Sequence, residues 1–223
     1  MPVRKVPLVN GEMYHVINRG IDGRLTFGNK REYIRAIRTL DYYRYQSPPL
    51  RLSKFLDLPV EKRANVLNSI KRGDLLVDIV CYCFMPNHIH FLLRQNIDKG
   101  ISDFMRLFQN SYTRYFNTKN ERQGPLFLDQ FKAVHIGKDD ELLHVSRYIH
   151  LNPYSAYLVK SFENLIEYEW SSLPEYLGCR KTDICEAETV LSFFKKTNEY
   201  RKFVFNNKDY QRRLQALKHL FIE

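Results

Sequence analysis

The sequence has 223 residues, of which 44% are hydrophobic, and its 35 Lys and Arg against 25 Asp and Glu give a net charge of +10. This is enough chain to bury the core of one large domain, or of one domain with an appendage. No uninterrupted apolar stretch reaches the roughly 18 residues that a membrane helix needs, and the first residues lack the apolar region of a signal peptide. We therefore expect a cytoplasmic protein with no membrane segment.

The positive charge is concentrated in the first part of the chain. Residues 1–77 hold 15 Lys and Arg against 7 Asp and Glu, whereas residues 139–223 hold 12 against 13. The chain also has 15 Tyr and 15 Phe, whose rings can stack on bases. This combination favours single-stranded or distorted nucleic acid as a partner. A solvated cationic face without such a partner is the alternative.

The four cysteines, Cys81, Cys83, Cys179 and Cys185, do not have the spacing of a zinc site. A single residue separates Cys81 from Cys83, whereas zinc sites place about two to four residues between neighbouring ligands. We expect reduced thiols, most of them buried.

The first elements in chain order are a strand and a helix. Residues 14–19 alternate weakly and end at Gly20, which predicts a strand followed by a turn. A helix is expected after Asn29, which stands at an N-cap position with Glu32 three residues later.

An insertion and a hairpin come next. Residues 46–74 are broken by prolines and contain a short basic helix, so we interpret them as an insertion. Two strands follow, over residues 75–84 and 88–94, joined by a turn at residues 85–87.

The second half of the domain repeats the alternation of helix and strand. A helix begins near Ser102, and residues 125–136 have the pattern of a further strand. Asp139 and Asp140 are expected to cap the next helix. Asn152-Pro153 should close that helix, because the residue before a proline disfavours helical geometry.

This order of elements predicts an α+β fold. We expect a ferredoxin-like, mostly antiparallel sheet with helices on one face. Residues 1–178 would form this domain, with the insertion at 46–74, and residues 179–223 would form a helical C-terminal tail.

Two histidines, His88 and His90, stand two residues apart in an apolar run. Because the side chains of a strand alternate between its faces, both imidazoles should project from one side while Ile89 and Phe91 pack on the other. This is half of a metal site, although an isolated pair of this kind also occurs as core or surface histidines.

Tyr148 and Asn152 lie four residues apart, so on a helix they share one face, one turn from each other. If that helix crosses the histidine strand, Asn152 can offer a side-chain oxygen as the third ligand of a divalent cation, with Tyr148 facing a bound phosphate. A mixed nitrogen and oxygen donor set suits Mg²⁺ or Mn²⁺ better than a closed zinc site. Taken alone, Tyr148 is more simply explained as an aromatic core residue.

Five segments of the chain together carry a more specific pattern than the paired histidines. They are Tyr14-His15-Val16-Ile17-Asn18-Arg19-Gly20, Met85-Pro86-Asn87-His88-Ile89-His90-Phe91-Leu92-Leu93, Gly124-Pro125-Leu126-Phe127 through Lys132, Tyr148-Ile149-His150-Leu151-Asn152-Pro153, and Trp170-Ser171-Ser172-Leu173-Pro174-Glu175-Tyr176. In this order they resemble the single-tyrosine HUH transposases, in particular the REP-associated tyrosine transposases.

The resemblance implies a metal-dependent endonuclease and strand transferase that acts on single-stranded DNA near a hairpin. By their positions in the motifs, His88, His90 and Asn152 would hold the metal. Tyr148 would form a 5′-phosphotyrosine link and free a 3′ hydroxyl.

The resemblance also implies a hairpin DNA partner. The sequence leaves a monomer and a homodimer as alternatives for the assembly. For the contacts to this DNA, position and charge suggest Arg19, Arg114 and Lys132. Tyr112 and Tyr115, on the preceding helix, are the nearest alternative nucleophiles.

Three features depart from the common pattern of this group: the insertion at 46–74, the long tail, and Gln130 where many relatives have an arginine. A non-catalytic protein that binds single-stranded or hairpin nucleic acid on the same fold is the alternative function, since such sheets bind single strands without any chemistry. A third alternative is a replication initiator or plasmid relaxase with the same paired histidines. Such proteins are ordinarily longer and carry further domains, and relaxases generally add a third histidine, which the run after His90, Phe91-Leu92-Leu93-Arg94, does not offer.

Overall fold

One antiparallel sheet of four strands organises the computed structural model, which describes residues 7–206. The strands are β1 (Met13–Arg19), β2 (Val77–Met85), β3 (His88–Gln95) and β4 (Lys132–Ile136). Their spatial order is β2-β3-β1-β4, so β1 and β3 are the central strands. In the register of this sheet Arg19 lies opposite His88, and Ile17 lies opposite both His90 and Lys132.

Helices connect the strands and cover the sheet. In the described part of the chain they are α1 (Lys30–Tyr43), α2 (Leu52–Leu56), α3 (Val60–Lys71), α4 (Gly100–Lys119), α5 (Asp139–Ser155), α6 (Phe162–Ile166), α7 (Leu173–Tyr176), α8 (Glu188–Leu191) and α9 (Thr197–Phe205), with a short 3₁₀ turn at Ile21–Gly23. The α+β class and the antiparallel sheet are as predicted. None of the helices within residues 7–206 is both long and apolar enough to span a membrane.

The two faces of the sheet carry separate hydrophobic cores. α1 and α4 pack on the face that presents Phe84, Ile89 and Phe91. α5 packs on the opposite face, over β2 and β3, against Cys83 and Leu92. We expected helices on one face, and the difference has a simple cause. β2 and β3 are apolar at nearly every position, so both of their faces have to be covered.

A β-bulge in β2 sets which side chains reach each core. The pairing of β2 with β3 shifts between Ile79 and Cys81, so that Val80 and Cys81 both belong to the α5 face. Beyond the bulge, Cys81 and Cys83 point to the α5 face and Tyr82 to the α4 face. Both cysteines are buried free thiols, as expected. Cys185 is half-buried and Cys179 is exposed.

The first helix begins as predicted. The Asn29 side chain accepts a hydrogen bond from the Glu32 amide at 3.2 Å, which is the N-cap interaction. The Glu32 carboxylate in turn accepts from the Gly28 amide at 2.6 Å and pairs with Lys119 of α4 at 2.6 Å. The start of α1 is thereby tied to the end of α4.

Two predicted boundaries around α5 were wrong. The strand expected over residues 125–136 is regular only from Lys132, because residues 126–128 bond to the end of β1 and the turn after it instead of continuing a ladder. The helix cap is Lys138, and Asp139 and Asp140 lie in the first turn, where their charges still favour the positive helix end.

The end of α5 was also predicted too early. Pro153 lies inside the helix, which continues to Ser155. A proline in the last turn removes one backbone hydrogen bond, and the turn is held by the bond from Ala156 N to Asn152 O and by the burial of Tyr154. Asn152 is therefore fully helical, one turn beyond Tyr148.

The insertion and the C-terminal region contain the expected helices. α2 and α3 lie within residues 46–74, and Phe55 of α2 packs against Tyr42 of α1. In the C-terminal region, α8 and α9 add Val190, Tyr200 and Val204 to the core under α5. Residues 207–223 of the predicted tail lie outside the described residues. The division into a domain of residues 1–178 and a tail stays a prediction.

Candidate active site

The two histidines of β3 occupy the sheet face that α5 covers. His88 and His90 alternate with the buried Ile89 and Phe91, as predicted, and their rings lie 4.9 Å apart between centroids. His90 is only 4% exposed, whereas His88, at the start of the strand, is half-buried. The pair therefore forms the floor of the site, and His88 is the more accessible of the two rings.

A hydrogen bond at Nδ1 orients each of these rings. His88 Nδ1 lies 2.7 Å from Asn87 Oδ1, and His90 Nδ1 lies 3.0 Å from His15 Nε2. Within residues 7–206, neither Nε2 atom makes a hydrogen bond. Both rings thus have a lone pair available at Nε2 whenever the ring proton is on Nδ1.

His15 is a third histidine of the site, and sequence reasoning missed it. It lies on β1, where the alternation of the strand places it on the same face as Ile17, diagonal to His90. Its ring stacks on that of His90, with centroids 5.2 Å apart. No third histidine follows His90 along its own strand, as the sequence indicated, and this one comes from the neighbouring strand. Only the pairing of β1 with β3 could reveal it.

Burial keeps all three imidazoles neutral. It lowers the pKa of His15 to about 4 and that of His88 to about 4, the latter with a further contribution from the positive charge of Arg19. Burial also lowers the pKa of His90 well below its ordinary value, with smaller effects from His88 and His15. A neutral imidazole is the form that binds metal ions.

Helix α5 places Tyr148 directly over this floor. The Tyr148 ring lies 5.6 Å from the His90 ring and 5.8 Å from the His15 ring between centroids, edge to face in both cases. Tyr148 is half-buried. Burial raises the pKa of its hydroxyl, a hydrogen bond with the Asn152 side chain lowers it, and the nearby Cys83 adds a small rise. The net shift is upward, so the free phenol is a weak nucleophile unless a positive charge approaches it.

Asn152 lies one turn further along α5, as predicted. It is 1% exposed, and its amide nitrogen is buried without a hydrogen-bond partner in the described part of the chain. An unsatisfied buried amide is costly, and such groups in native structures usually have a functional explanation. Since the oxygen and nitrogen of an amide exchange by a half-turn, the side chain can present either atom to the site.

The donor set available for a cation is therefore two imidazoles and one amide. Among residues 7–206, no three His, Cys, Asp or Glu side chains are grouped so that they could hold a metal ion. The paired free Nε2 atoms and the unsatisfied amide nevertheless fit a metal of mixed nitrogen and oxygen coordination, such as Mn²⁺ or Mg²⁺.

A buried polar network fixes the position of α5. His150, which lies between Tyr148 and Asn152 in sequence, faces away from the site and is fully buried. Its Nδ1 lies 2.7 Å from the Tyr200 hydroxyl of α9, and its Nε2 lies 2.8 Å from the Ser172 hydroxyl. Ser172 is bonded to the backbone of Tyr82 in β2. The helix that carries the tyrosine is thereby tied to the sheet that carries the histidines.

Two of the three cations that we expected to contact DNA lie beside this site. Arg19 and Lys132 are exposed, and their strand positions place them on the same sheet face as the histidines. The effect of Arg19 on the pKa of His88 shows that the two are close.

Arg114 lies elsewhere, on α4, beyond the opposite face of the sheet. It lines a groove of about 1300 Å³. The cationic side chains of this groove are Arg35, Arg51, Arg106, Arg114, Lys119 and Arg122. Arg114 itself is exposed and makes no ion pair within residues 7–206, so it is available to an anionic partner.

The two alternative nucleophiles lie on the side of the sheet opposite to His88 and His90. Tyr112 is fully buried in the core under α4, and its hydroxyl donates to the Thr26 carbonyl at 2.7 Å. Tyr115 lines the basic groove, with the Arg35 guanidinium 5.1 Å from its ring centroid. Neither residue is on the face that carries His88 and His90.

Comparison with known proteins supports the resemblance seen in the sequence. Residues 52–152 match the model of the family described as IS200-like transposases. This range includes His88, His90, Tyr148 and Asn152, and it begins inside the segment that we interpreted as an insertion. No curated protein sequence matches the chain.

A solved structure described as a REP-associated tyrosine transposase bound to a REP hairpin has a similar fold. The TM-score is 0.56 at 13% sequence identity, and the similar region covers 83% of this chain and 98% of the other. The family match and the shared fold together confirm the resemblance of this chain to the IS200-like transposases and to the REP-associated tyrosine transposases.

Proposed function

We propose that this chain is a metal-dependent endonuclease and strand transferase that cuts single-stranded DNA near a hairpin through a covalent link to Tyr148. The observation that carries the proposal is the placement of the Tyr148 ring against His90, with Asn152 one turn along the same helix. The structural neighbour is bound to a REP hairpin, which supports hairpin DNA as the partner.

In the proposed reaction, the Tyr148 oxygen forms a bond to phosphorus while the bond from phosphorus to the 3′ oxygen breaks. The tyrosine proton is released to solvent, and the departing oxygen takes a proton to become a 3′ hydroxyl. The DNA on the 5′ side of this phosphate is released, and the phosphate remains on the tyrosine as a 5′-phosphotyrosine. Strand transfer is the reverse step with a different 3′ hydroxyl.

The residues of the site each have a part in this reaction. His88 and His90 would hold Mg²⁺ or Mn²⁺ through Nε2, and Asn152 would add a side-chain oxygen. When bound, the cation would polarise the phosphate and stabilise the charge that develops on it. Because the pKa of Tyr148 is raised, this positive charge is also what the phenol needs to react near neutral pH.

The DNA would contact surfaces on both sides of the sheet. Arg19 and Lys132 are placed to contact phosphates of the strand being cut. The groove along α4, with Arg114, is wide and cationic enough to hold the phosphates of the hairpin stem.

The test is a covalent adduct experiment with hairpin DNA labelled on the 3′ side of the cut. In the presence of Mn²⁺, the wild-type chain should give an adduct that resists denaturant. Tyr148→Phe removes only the hydroxyl, so DNA binding should persist while the adduct disappears. Tyr115→Phe is the matched control and should form the adduct as the wild type does.

Two results would count against the proposal. An adduct that survives in Tyr148→Phe would show that the nucleophile is another residue. Tight hairpin binding with no adduct at any metal concentration would favour the non-catalytic binding protein.

A further inference from the structure

His15 contacts a proposed metal ligand from a strand that the paired histidine motif does not include. Its Nε2 lies 3.0 Å from His90 Nδ1, and the rings are stacked with 23° between their planes. His15 is 7% exposed and His90 is 4% exposed, so water has little access to this contact. The hydrogen bond between them is consequently well protected.

A hydrogen bond between two neutral imidazoles holds one proton, and it can run in either direction. If His15 donates from Nε2, the Nδ1 of His90 is the acceptor and its own proton is on Nε2. If His90 donates from Nδ1, its Nε2 keeps a free lone pair. Only the second arrangement allows His90 to bind a cation through Nε2.

The neighbouring ring shows the same arrangement with an unambiguous acceptor. His88 Nδ1 lies 2.7 Å from Asn87 Oδ1, and the Asn87 amide nitrogen donates to the Gly23 carbonyl at 3.3 Å, which directs the oxygen to His88. Because a carbonyl oxygen can only accept, the proton of His88 is on Nδ1. Each of the two rings therefore has an acceptor within reach of its Nδ1. This is the outer-shell pattern that orients metal-binding histidines in proteins.

We propose that His15 is a positioning residue of the site: it accepts a hydrogen bond from the Nδ1 of His90 and keeps the Nε2 lone pair of His90 free for a divalent cation. The inference rests on the proposed function, in which His90 binds the metal. It adds a residue outside the paired histidine motif and assigns its chemical role.

The first experiment determines the proton position in the wild-type chain. Nitrogen-15 correlation spectra of the histidine rings, recorded near neutral pH with and without Mg²⁺, distinguish the two tautomers. We expect His90 to carry its proton on Nδ1 in both samples. A proton on Nε2 of His90 in the Mg²⁺ sample would overturn the inference.

The second experiment measures Mn²⁺ affinity by electron paramagnetic resonance in the absence of DNA. His15→Phe keeps an aromatic ring but removes the acceptor, and the affinity should fall about 10- to 100-fold, as for other outer-shell partners. His15→Gln restores an acceptor oxygen and should recover much of the loss. His135→Phe, on β4 and facing the other side of the sheet, is the matched control and should bind Mn²⁺ as the wild type does.

The outcomes separate this inference from the proposed function. If the wild type binds Mn²⁺ and His15→Phe binds it equally well, the role of His15 is wrong and the proposed function stands. If the wild type binds no Mn²⁺, the role of His15 is wrong, and so is the metal site of the proposed function. Should His15→Phe fail to fold, the tautomer of His90 in the wild-type chain decides.

Discussion

At the scale of single residues, the site depends on which atoms of two imidazoles stay free. Nδ1 of His88 and of His90 is engaged by Asn87 and His15, and neither Nε2 atom makes a hydrogen bond within residues 7–206. The proposed chemistry thus depends on ring orientation as much as on residue type. A change that keeps the fold but removes one nitrogen should have a large effect.

We therefore expect His88→Ala or His90→Ala to abolish adduct formation while hairpin affinity stays within a few-fold of wild type. The physical reason is that each histidine is proposed to supply one of three protein ligands. Excess EDTA should have the same effect on the wild-type chain. Full cleavage in EDTA would contradict the metal requirement.

Asn152→Ala should be less severe, because a water molecule can replace one neutral oxygen ligand. Adduct formation should be slow at low Mn²⁺ and should recover as the Mn²⁺ concentration is raised. The measurement is the rate of adduct formation against Mn²⁺ concentration for both chains. A defect that no concentration of Mn²⁺ relieves would argue that Asn152 acts on Tyr148 instead.

Glu32 gives a prediction for stability against pH. Burial alone would raise its pKa, but bonds from Lys119, the Gly28 amide and Asn29 outweigh it, and the net shift is below the ordinary value of 4.5. The unfolded chain then binds the proton more tightly than the folded one. The stability that Glu32 contributes is present above about pH 4.5 and is lost as the pH falls through the lowered folded value.

Glu32→Gln should consequently cost roughly 1–3 kcal/mol of unfolding free energy at neutral pH, the typical effect of removing a buried charged hydrogen-bond partner. As the pH falls below 4.5, the unfolding free energies of the wild type and the variant should approach each other. Urea unfolding at a series of pH values measures the difference. A gap that stays constant across the series would contradict the assignment.

At the scale of elements, the decisive relation is the position of α5 over β2 and β3. The helix sets the distance from Tyr148 to the histidines, and it is held by apolar packing and by the bonds of His150 to Tyr200 and Ser172. Without these hydrogen bonds, the position of α5 relative to the sheet would change. The network therefore has a role in the geometry of the site, although none of its members faces it.

We expect His150→Phe to destabilise the chain by about 1–3 kcal/mol, because the Tyr200 and Ser172 hydroxyls would each lose a buried partner. Urea unfolding at neutral pH is the measurement. Lys160→Gln, an exposed position shortly after the same helix, is the control and should stay within about 0.5 kcal/mol of wild type. Equal stabilities of His150→Phe and wild type would show that the network does not hold the helix.

At the scale of the whole molecule, two cationic surfaces lie on opposite sides of the sheet in the described part of the chain. One is the histidine face with Arg19 and Lys132, and the other is the groove along α4 with Arg114. A DNA hairpin with a single-stranded flank can contact both only if it passes around the edge of the sheet. Substitutions in the groove along α4 should therefore change mainly hairpin affinity, and substitutions on the histidine face should change mainly cutting.

Hairpin affinity should fall steeply with salt, since binding releases counterions from the phosphates. Arg114→Gln should weaken binding and reduce the slope of log K against log salt by about one. At saturating DNA, the variant should still form the adduct. An affinity that is flat between low and moderate salt would rule out the phosphate contacts.

Much of this protein could be predicted from its sequence by itself. Alternation in β3 placed His88 and His90 on one face, and helical spacing placed Tyr148 one turn from Asn152, because both patterns follow from the geometry of a single element. Local sequence patterns also predicted the N-cap at Asn29 and the hairpin of β2 and β3. The resemblance to transposases combined these local patterns in one function.

Only the tertiary structure decided how the elements meet. The sequence placed helices on one face, whereas the apolar β2 and β3 need cover on both, and this brings α5 over the histidines. The role of His15 depends on pairing between strands that are about 75 residues apart in the chain, a relation that no local pattern encodes. The sequence also indicated that Arg114 is a solvent-accessible cation. It could not show that the sheet separates Arg114 from Arg19 and Lys132, because that depends on how the elements pack.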